Sequence, residues 1–263
     1  MLTLLAAVML CADSSAAPWT QLAAGIEYSA RPFDHDKPKV MLQVVRVDPA
    51  LAELKLGLAS RDGAEHTAAA WADQLGFLAT INAGMFEKDH RKNVGRLVDG
   101  AHVNHGEYNA YQSALLINPK KPGLPKAQLI DLDDAGGKEL AAQYQTVVQN
   151  LRLVKGQGES VWKPNGRAWS EAAVAQDKQG RILFLFVREG YPMSEFNRLL
   201  LSSGLEVVRA MHVEGGPEAS LSLRGKVTQD FFGSYETGFF ERDSNDKQWE
   251  LPNVLGAVAR PGK

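Results

Sequence analysis

Residues 211–220 have the sequence Met-His-Val-Glu-Gly-Gly-Pro-Glu-Ala-Ser, and they decide how the second half of the chain folds. An apolar run over 205–213 predicts a strand, and two glycines and a proline then end it. Glu214 is therefore expected at the rim of a sheet, on a turn that glycine forms most easily. A carboxylate in that position is a candidate functional group.

A second strand end of the same kind lies over 78–86, where Leu-Ala-Thr-Ile is followed by Asn82 and Gly84. The apolar tetrapeptide predicts a short buried strand, and the amide and the glycine predict the turn after it. Two strand ends that carry polar groups on glycine-shaped turns are expected to form two walls of one pocket.

The segments around these two turns alternate between strand and helix patterns. A strand is predicted over 40–48, with 53–59 as its hairpin partner, and another over 113–118. A second hairpin is predicted from 172–177 and 181–187. Helices are predicted from Thr67 to Leu75, ended by Gly76, and from Ser194 to Ser203, ended by Gly204. Together they predict an α+β fold. A mixed, largely antiparallel twisted sheet with helices packed against it would form one domain over residues 17–263.

The composition narrows the class of protein. The chain has 263 residues, of which 44% are hydrophobic, so it can bury a sizeable core. With a net charge of -2, the chain has no excess of positive charge that would attract nucleic acid or anionic membranes, so neither is an expected partner.

The N-terminus predicts an export signal. Residues 2–12 form an uncharged apolar run, and the small residues Ser14 to Ala16 suit cleavage before Ala17. The run is too short for a transmembrane anchor, and a periplasmic or secreted location is expected. An N-terminal core strand is the alternative. Lipid attachment at Cys11, the only cysteine, is disfavoured because Leu10 precedes it.

The chain also resembles the phosphodiester glycosidase family, which is related to the lysosomal uncovering enzyme. The resemblance rests on elements that occur in order along the chain: Gly25 to Tyr28, Ile81 to Phe86, Gly95 to Gly100, Arg167, Ser194-Glu195, the acidic turn 214–216 and Pro252 to Val258. The family's usual acidic turn is Asp-Gly-Gly-Gly-Ser-Ser/Thr, whereas this chain has Glu-Gly-Gly-Pro-Glu-Ala-Ser. This difference bears first on which substrate the protein would accept, and to a lesser degree on its activity.

The resemblance implies cleavage of a glycosidic bond to a phosphodiester oxygen, without a cofactor. Glu214 would be the carboxylate beside the anomeric carbon, as nucleophile or as base for a water. Glu195 would supply a second carboxylate, and Arg167 would hold the phosphate. Each also has a structural interpretation. Glu214 would cap backbone N–H groups of its turn, Glu195 would favour a helix N-terminus, and Arg167 would lie on a surface loop.

The remaining candidates are substrate-binding residues of the two turns. They are Asn82, Gly84, His212, Gly215, Gly216 and Ser220. Asn82 would contact a sugar hydroxyl or a phosphate oxygen, and Gly84 would let the ligand approach the backbone. A purely structural turn is the alternative for this pair, and a satisfied buried imidazole is the alternative for His212.

A metal site is not predicted, because the histidines lack zinc-ligand spacing. The leading function is an exported hydrolase that acts on envelope glycans or glycosyl phosphodiesters. The alternative is a non-catalytic envelope protein that binds glycan or phosphate on the same fold.

Overall fold

The computed structural model describes residues 17–260, which are rich in strands. The strands are β1 (Thr20–Ala23), β2 (Ile26–Pro32), β3 (Met41–Val47), β4 (Ala52–Leu58), β5 (Ala79–Asn82), β6 (Leu97–Asp99), β7 (His102–His105), β8 (Ser113–Pro119), β9 (Ala127–Asp131), β10 (Tyr144–Lys155), β11 (Glu159–Ser160), β12 (Trp169–Asp177), β13 (Ile182–Tyr191), β14 (Val207–Gly215), β15 (Ser220–Leu223), β16 (Gln229–Phe232) and β17 (Asn253–Ala259). The helices are α1 (Ala59–Asp62), α2 (Ala68–Leu75), α3 (Gly137–Ala141) and α4 (Met193–Ser202).

The strands form two sheets. The larger has the order β1-β2-β3-β13-β12-β14-β10-β6-β7, with β8, β9 and β11 attached beside β10. The smaller has the order β16-β15-β5-β17-β4. The main apolar core lies between them, since Val174 and Val213 of the larger sheet and Ile81, Leu221 and Leu255 of the smaller belong to one buried cluster.

Helices cover the outer faces of both sheets. On the larger sheet, Phe196 and Leu200 of α4 pack with Leu185 of β13 in a second core. On the smaller sheet, Trp71 of α2 packs with Val254 of β17. Because both faces of β13 are covered, its residues 182–187 are all buried and all apolar, as the sequence predicts.

The predicted fold class is correct in part. The largely antiparallel character is confirmed, and every strand pair within residues 17–260 is antiparallel. The molecule is, however, built mainly from two packed sheets with few helices, rather than from one mixed sheet with helices against it. The predicted hairpin of β3 with β4 is wrong, because the turn after Asp48 carries the chain into the smaller sheet, where β4 pairs with β17.

The two predicted helices form, with one change at an end. Thr67 caps α2 by accepting the N–H of Ala70, and Gly76 ends it in the left-handed conformation, as predicted. The predicted cap at Ser194 is wrong, because α4 begins at Met193 and its cap position is Pro192, whose ring fixes an extended entry.

Among the described residues, no helix has both the length and the apolar character needed to cross a membrane. The predicted signal peptide, residues 1–16, lies outside the described part of the chain.

Candidate active site

The two glycine-shaped turns lie side by side, because β5 and β15 are neighbours in the smaller sheet and pair Ile81 with Leu221. Asn82, at the end of β5, is buried. Its Nδ2 donates to the carbonyl of Glu218 at 3.0 Å, and its Oδ1 accepts the backbone N–H of Ser220 at 2.8 Å. Ser220 is also buried, and its hydroxyl donates to the same Glu218 carbonyl. Asn82 and Ser220 therefore hold the acidic turn in shape.

A buried acid–imidazole pair joins two strands of the larger sheet beside this turn. Nδ1 of His212, on β14, lies 2.6 Å from Oε1 of Glu171, on the neighbouring β12. The side chains are 5% and 1% exposed, so the pair is shielded from water. Burial lowers the pKa of His212, but the charge and hydrogen bond of Glu171, with the charge of Glu214, outweigh it and raise the pKa. Burial also raises the pKa of Glu171, against the effect of His212.

The strand pairing shifts between His212 and Glu214. Ala173 pairs with His212 and Ala172 pairs with Glu214, so Val213 is an extra residue on β14. Strict alternation would put residues two apart on one face, which is how the sequence placed these two side chains together. The bulge alters that geometry, yet the two groups remain close enough for each to change the pKa of the other.

Glu214 is an acid of this cluster whose pKa is strongly raised. Burial raises its pKa to about 8; His212 opposes this shift, and the charges of Glu218 and Glu171 add to it. One of its oxygens accepts the N–H of Gly215 at 3.1 Å, which is the capping contact considered from the sequence. Its charge also reaches Tyr111, whose pKa is raised first by burial and then by Glu214. Glu214 is therefore protonated at neutral pH.

Two further carboxylates complete the cluster. Glu218 belongs to the short 3₁₀ turn Gly216–Glu218, and burial raises its pKa, with a contribution from Glu236. Glu236 follows β16, and burial raises its pKa as well. Neither residue stands out in the sequence as part of a site.

The glycines of the acidic turn are required because a larger residue would collide with neighbouring side chains. Gly216 has φ +64°, and a Cβ there would lie 2.7 Å from Oε2 of Glu236. A Cβ on Gly215 would lie 2.5 Å from the Trp169 ring, which meets His212 edge-on at 6.3 Å between ring centroids. The turn is thus packed closely by side chains on both sides.

Gly84 has a similar role in the other turn. A Cβ there would come within 2.5 Å of Oδ1 of Asn150 and 2.6 Å of Oδ1 of Asn93. These two amide oxygens are buried and have no hydrogen-bond partner within residues 17–260. Gly84 therefore admits two asparagine side chains of this chain at the position where the sequence predicted an approaching ligand.

The other two predicted catalytic residues lie on the surface. Glu195 is in the first turn of α4 and pairs with Arg198 at 2.6 Å, with its side chain 39% exposed. Its pKa is lowered by that arginine, and its further charged neighbours are Asp34 and Lys37, which are not part of the Glu214 cluster. Arg167 is exposed in the loop before β12, two residues from Trp169, and its side chain makes no ion pair within the described residues.

Glu171 is the functional candidate that the sequence did not reveal. The strand was predicted to begin at Ala172, which left Glu171 in the loop, whereas β12 begins at Trp169 and buries it. Its second oxygen, Oε2, has no hydrogen-bond partner within the described chain. A lone carboxylate directly before an apolar run was the available signal.

Within residues 17–260, no group of three or more His, Cys, Asp or Glu side chains is arranged to hold a metal ion. The cluster brings an imidazole together with carboxyl groups whose pKa values are raised, which suits proton transfer of the kind that hydrolases use.

Two solved structures are similar to this chain in fold. The solved structure of the catalytic domain of zebrafish N-acetylglucosamine-1-phosphodiester alpha-N-acetylglucosaminidase, auto-inhibited by its pro-peptide, superposes with a TM-score of 0.62 at 14% identity, over 92% of this chain and 85% of that one. A hypothetical protein from Synechocystis gives the same TM-score and identity, over 94% of this chain and 64% of that one. At these identities the likeness shows the fold.

No curated protein matches the sequence. The model of the phosphodiester glycosidase family, by contrast, matches residues 76–258, which is more than half of the chain and includes both turns and the Glu171–His212 pair. This chain belongs to the phosphodiester glycosidase family.

Proposed function

We propose that the protein is an exported hydrolase that cleaves the bond between a sugar and the phosphate of a glycosyl phosphodiester, with Glu214 as its proton donor. The observation that carries the proposal is the half-buried Glu214, whose carboxyl has its pKa raised to about 8 by desolvation, beside the His212–Glu171 pair. A carboxylic acid that stays protonated at neutral pH is suited to general-acid catalysis.

The charges of the cluster suit an anionic substrate. A phosphodiester carries one negative charge and would be repelled by ionised carboxylates. Glu214 is neutral below about pH 8, and Oε1 of Glu171 is engaged by Nδ1 of His212 at 2.6 Å. Nε2 of His212 makes no hydrogen bond within the described residues and is the donor that we assign to a phosphate oxygen.

In the reaction, water attacks the anomeric carbon and the carbon–oxygen bond to phosphate breaks. The electron pair stays on the phosphate oxygen, and the proton of Glu214 is transferred to it. The attacking water loses a proton to solvent as the sugar hydroxyl forms, and Glu214 takes up a proton from solvent before the next turnover. The products are a free sugar and a phosphate monoester. Asn82 acts by holding the turn, because its amide already bonds the backbone of Glu218 and Ser220. We assign the cation that meets the phosphate to Arg167, which is exposed in the loop before β12.

The test is hydrolysis of a panel of sugar-1-phosphodiesters by the wild type and by Glu214→Gln. Glu195→Gln is the matched control, because it makes the same chemical change on the exposed helix α4. We expect Glu214→Gln to lose about 10²- to 10⁴-fold in kcat and Glu195→Gln to be unaffected. Equal rates for Glu214→Gln and the wild type would remove Glu214 from the mechanism.

One observation favours the second candidate function, a non-catalytic glycan- or phosphate-binding protein. Cavities of about 490, 370 and 340 Å³ lie on the surface of residues 17–260, and none of these three is lined by Glu171, His212 or Glu214. Binding of a phosphodiester without hydrolysis of any member of the panel would support this function.

Export is a separate part of the proposal and rests on the apolar run over 2–12 and the small residues before Ala17. Mass spectrometry of the protein purified from its native cells should find a chain that begins at Ala17, in the periplasmic or culture fraction. A cytoplasmic chain that retains residues 1–16 would contradict it.

A further inference from the structure

A cavity of about 230 Å³ lies on the outer face of the larger sheet, just after the end of helix α4. Leu183 and Leu205 line it, and both belong to the core that α4 forms with this sheet. Asp177, the last residue of β12, also lines it, and lies about 20 Å along that strand from Glu171. The cavity is therefore separate from the candidate active site.

The charges that line this cavity leave one cation over. The charged lining residues are Arg31, Arg46, Arg181, Asp177 and Glu206. Asp177 pairs with Arg181 at 2.6 Å, and Glu206 pairs with Lys178 at 3.6 Å. Arg46 pairs with Glu27 on the neighbouring strand β2. Arg31 has no carboxylate partner within residues 17–260, so its positive charge is uncompensated.

The side chain of Arg31 is held in a fixed position. Its Cζ lies 4.6 Å from the centre of the Trp19 ring, and Cζ of Arg46 lies 3.8 Å from the same ring. Nη2 of Arg31 also donates to the carbonyl of Ala17 at 3.3 Å. Because these contacts order the guanidinium before any ligand arrives, a ligand that binds it loses little free energy to side-chain ordering.

Several N–H groups of the three arginines lack an acceptor in the described chain. Nε of Arg31 is buried and has no hydrogen-bond partner within residues 17–260. Nη1 makes no hydrogen bond there in Arg31, Arg46 or Arg181, whose bonds to the protein use Nε and Nη2. Burial and the charge of Arg46 both lower the pKa of Arg31. An anion in the cavity would accept these N–H groups and reduce the repulsion between Arg31 and Arg46.

The larger cavity of about 490 Å³ suits an anion less well. Three acids line it, Glu189, Asp230 and Asp243, against two cations, Lys39 and Arg188. Arg188 already donates to Asp243 and to two backbone carbonyls. The lining of this cavity therefore carries more negative than positive charge, which repels a second anion.

We propose that the cavity beside Trp19 is a second binding site, and that it takes a tetrahedral oxyanion, a phosphate group. Arg31 supplies the uncompensated charge, and Arg46 and Arg181 supply further N–H donors. A tetrahedral anion presents oxygens in several directions and so can meet three guanidinium groups, whereas a planar carboxylate has two oxygens in one plane. The site binds this anion whether or not the protein hydrolyses a phosphodiester.

The test follows the indole N–H signal of Trp19 by NMR while inorganic phosphate is added to the wild type, Arg31→Lys and Arg31→Gln. Trp19→Phe assigns the signal by its loss. We expect a saturable shift in the wild type and about tenfold weaker binding in Arg31→Gln, with Arg31→Lys between them, since lysine keeps the charge but not the planar fork. Arg198→Gln makes the same change on an exposed arginine of α4 and should match the wild type.

Two further probes define the ligand. Acetate should bind more weakly than phosphate, and stronger binding of acetate would overturn the assignment to a tetrahedral anion. Methyl phosphate that binds more tightly than inorganic phosphate would show that the site takes a phosphate carried by a larger molecule, and the opposite order would show that it takes the free ion; both orders support the site.

The readout is local, because phosphate bound at His212 lies too far from Trp19 to shift its signal. Unchanged amide signals elsewhere in Arg31→Gln show that this variant is folded. A Trp19 signal that phosphate does not move in the wild type, or that moves equally in the wild type and in Arg31→Gln, would overturn the second site.

Discussion

Oδ1 of Asn82 accepts the backbone N–H of Ser220 at 2.8 Å, across 138 positions of sequence, and so fixes one strand end to the other. The nitrogen of the same amide donates to the carbonyl of Glu218, so one side chain bonds both the carbonyl of Glu218 and the N–H of Ser220. The acidic turn therefore depends on a residue of β5 for its shape.

Replacing Asn82 with alanine should destabilise the protein by about 1–3 kcal/mol, since it leaves the buried N–H of Ser220 without a partner and removes one of the two donors to the Glu218 carbonyl. Urea unfolding measures the loss. Asn109→Ala is a control on an exposed asparagine. A change below about 0.5 kcal/mol for Asn82→Ala would show that the turn holds its shape without this amide.

Activity should depend on the protonated form of Glu214. Since its pKa is about 8, kcat should stay level from about pH 6.5 to 7.5 and then fall tenfold for each pH unit well above 8. An assay from pH 5 to 10 gives the profile. A rate that instead rises with pH towards 8 would assign Glu214 the role of base or nucleophile.

Stability should fall as the pH rises through the same range. The folded state holds the Glu214 proton up to about pH 8, whereas the unfolded state releases it near its ordinary pKa of 4.5. The folded state therefore binds more protons between these values, and the free energy of unfolding decreases as pH increases. Glu214→Gln should flatten this decline by a few kcal/mol, as measured by urea unfolding at pH 5 and pH 8. Parallel curves for the two proteins would contradict the raised pKa.

The pKa of His212 should fall in Glu171→Gln. Burial lowers this pKa, and the charge and hydrogen bond of Glu171 raise it, so their removal should lower it. NMR titration of the His212 ring protons reports the value, and Glu195→Gln serves as the control. A His212 pKa that stays in place would mean that Glu171 does not set it.

Gly216→Ala should be more damaging than Gly238→Ala. Both glycines have positive φ, at +64° and +85°, so each substitution costs about 1–2 kcal/mol of backbone strain. A Cβ at Gly238 meets nothing within 4 Å, whereas one at Gly216 collides with Glu236. Thermal unfolding should show the larger loss for Gly216→Ala. Equal losses would indicate that Glu236 moves aside freely.

The features that the sequence predicted correctly are those that depend on residues close together in the chain. Thr67 and Gly76 mark the ends of α2 by local hydrogen bonding and by a left-handed turn. The partner of β4 is encoded about 200 positions away, in β17, and no local pattern distinguishes it from β3. Position relative to a turn was enough to find Glu214 and Asn82.

The acid–imidazole pair shows why the rest of the site was missed. Glu171 is buried in the pairing of β12 with β14, where it lies opposite Gly215 and its side chain reaches His212, two pairs along the ladder and beyond the bulge at Val213. The sequence chose Glu195 as the second acid for its place at a helix start, where α4 keeps it in solvent with Arg198. Burial, which decides between these two carboxylates, is a property of the assembled sheets.

The extra residue on β14 makes spacing as important as residue type. Removing Val213 while keeping every acid and imidazole would take the bulge out of β14, and with it the local bend and twist that set the angle between the His212 and Glu214 side chains. Relatives should therefore tolerate exchange of side chains here more readily than insertion or deletion. Sequence comparisons that open a gap between positions 212 and 215 would join proteins whose reactive groups do not coincide in space.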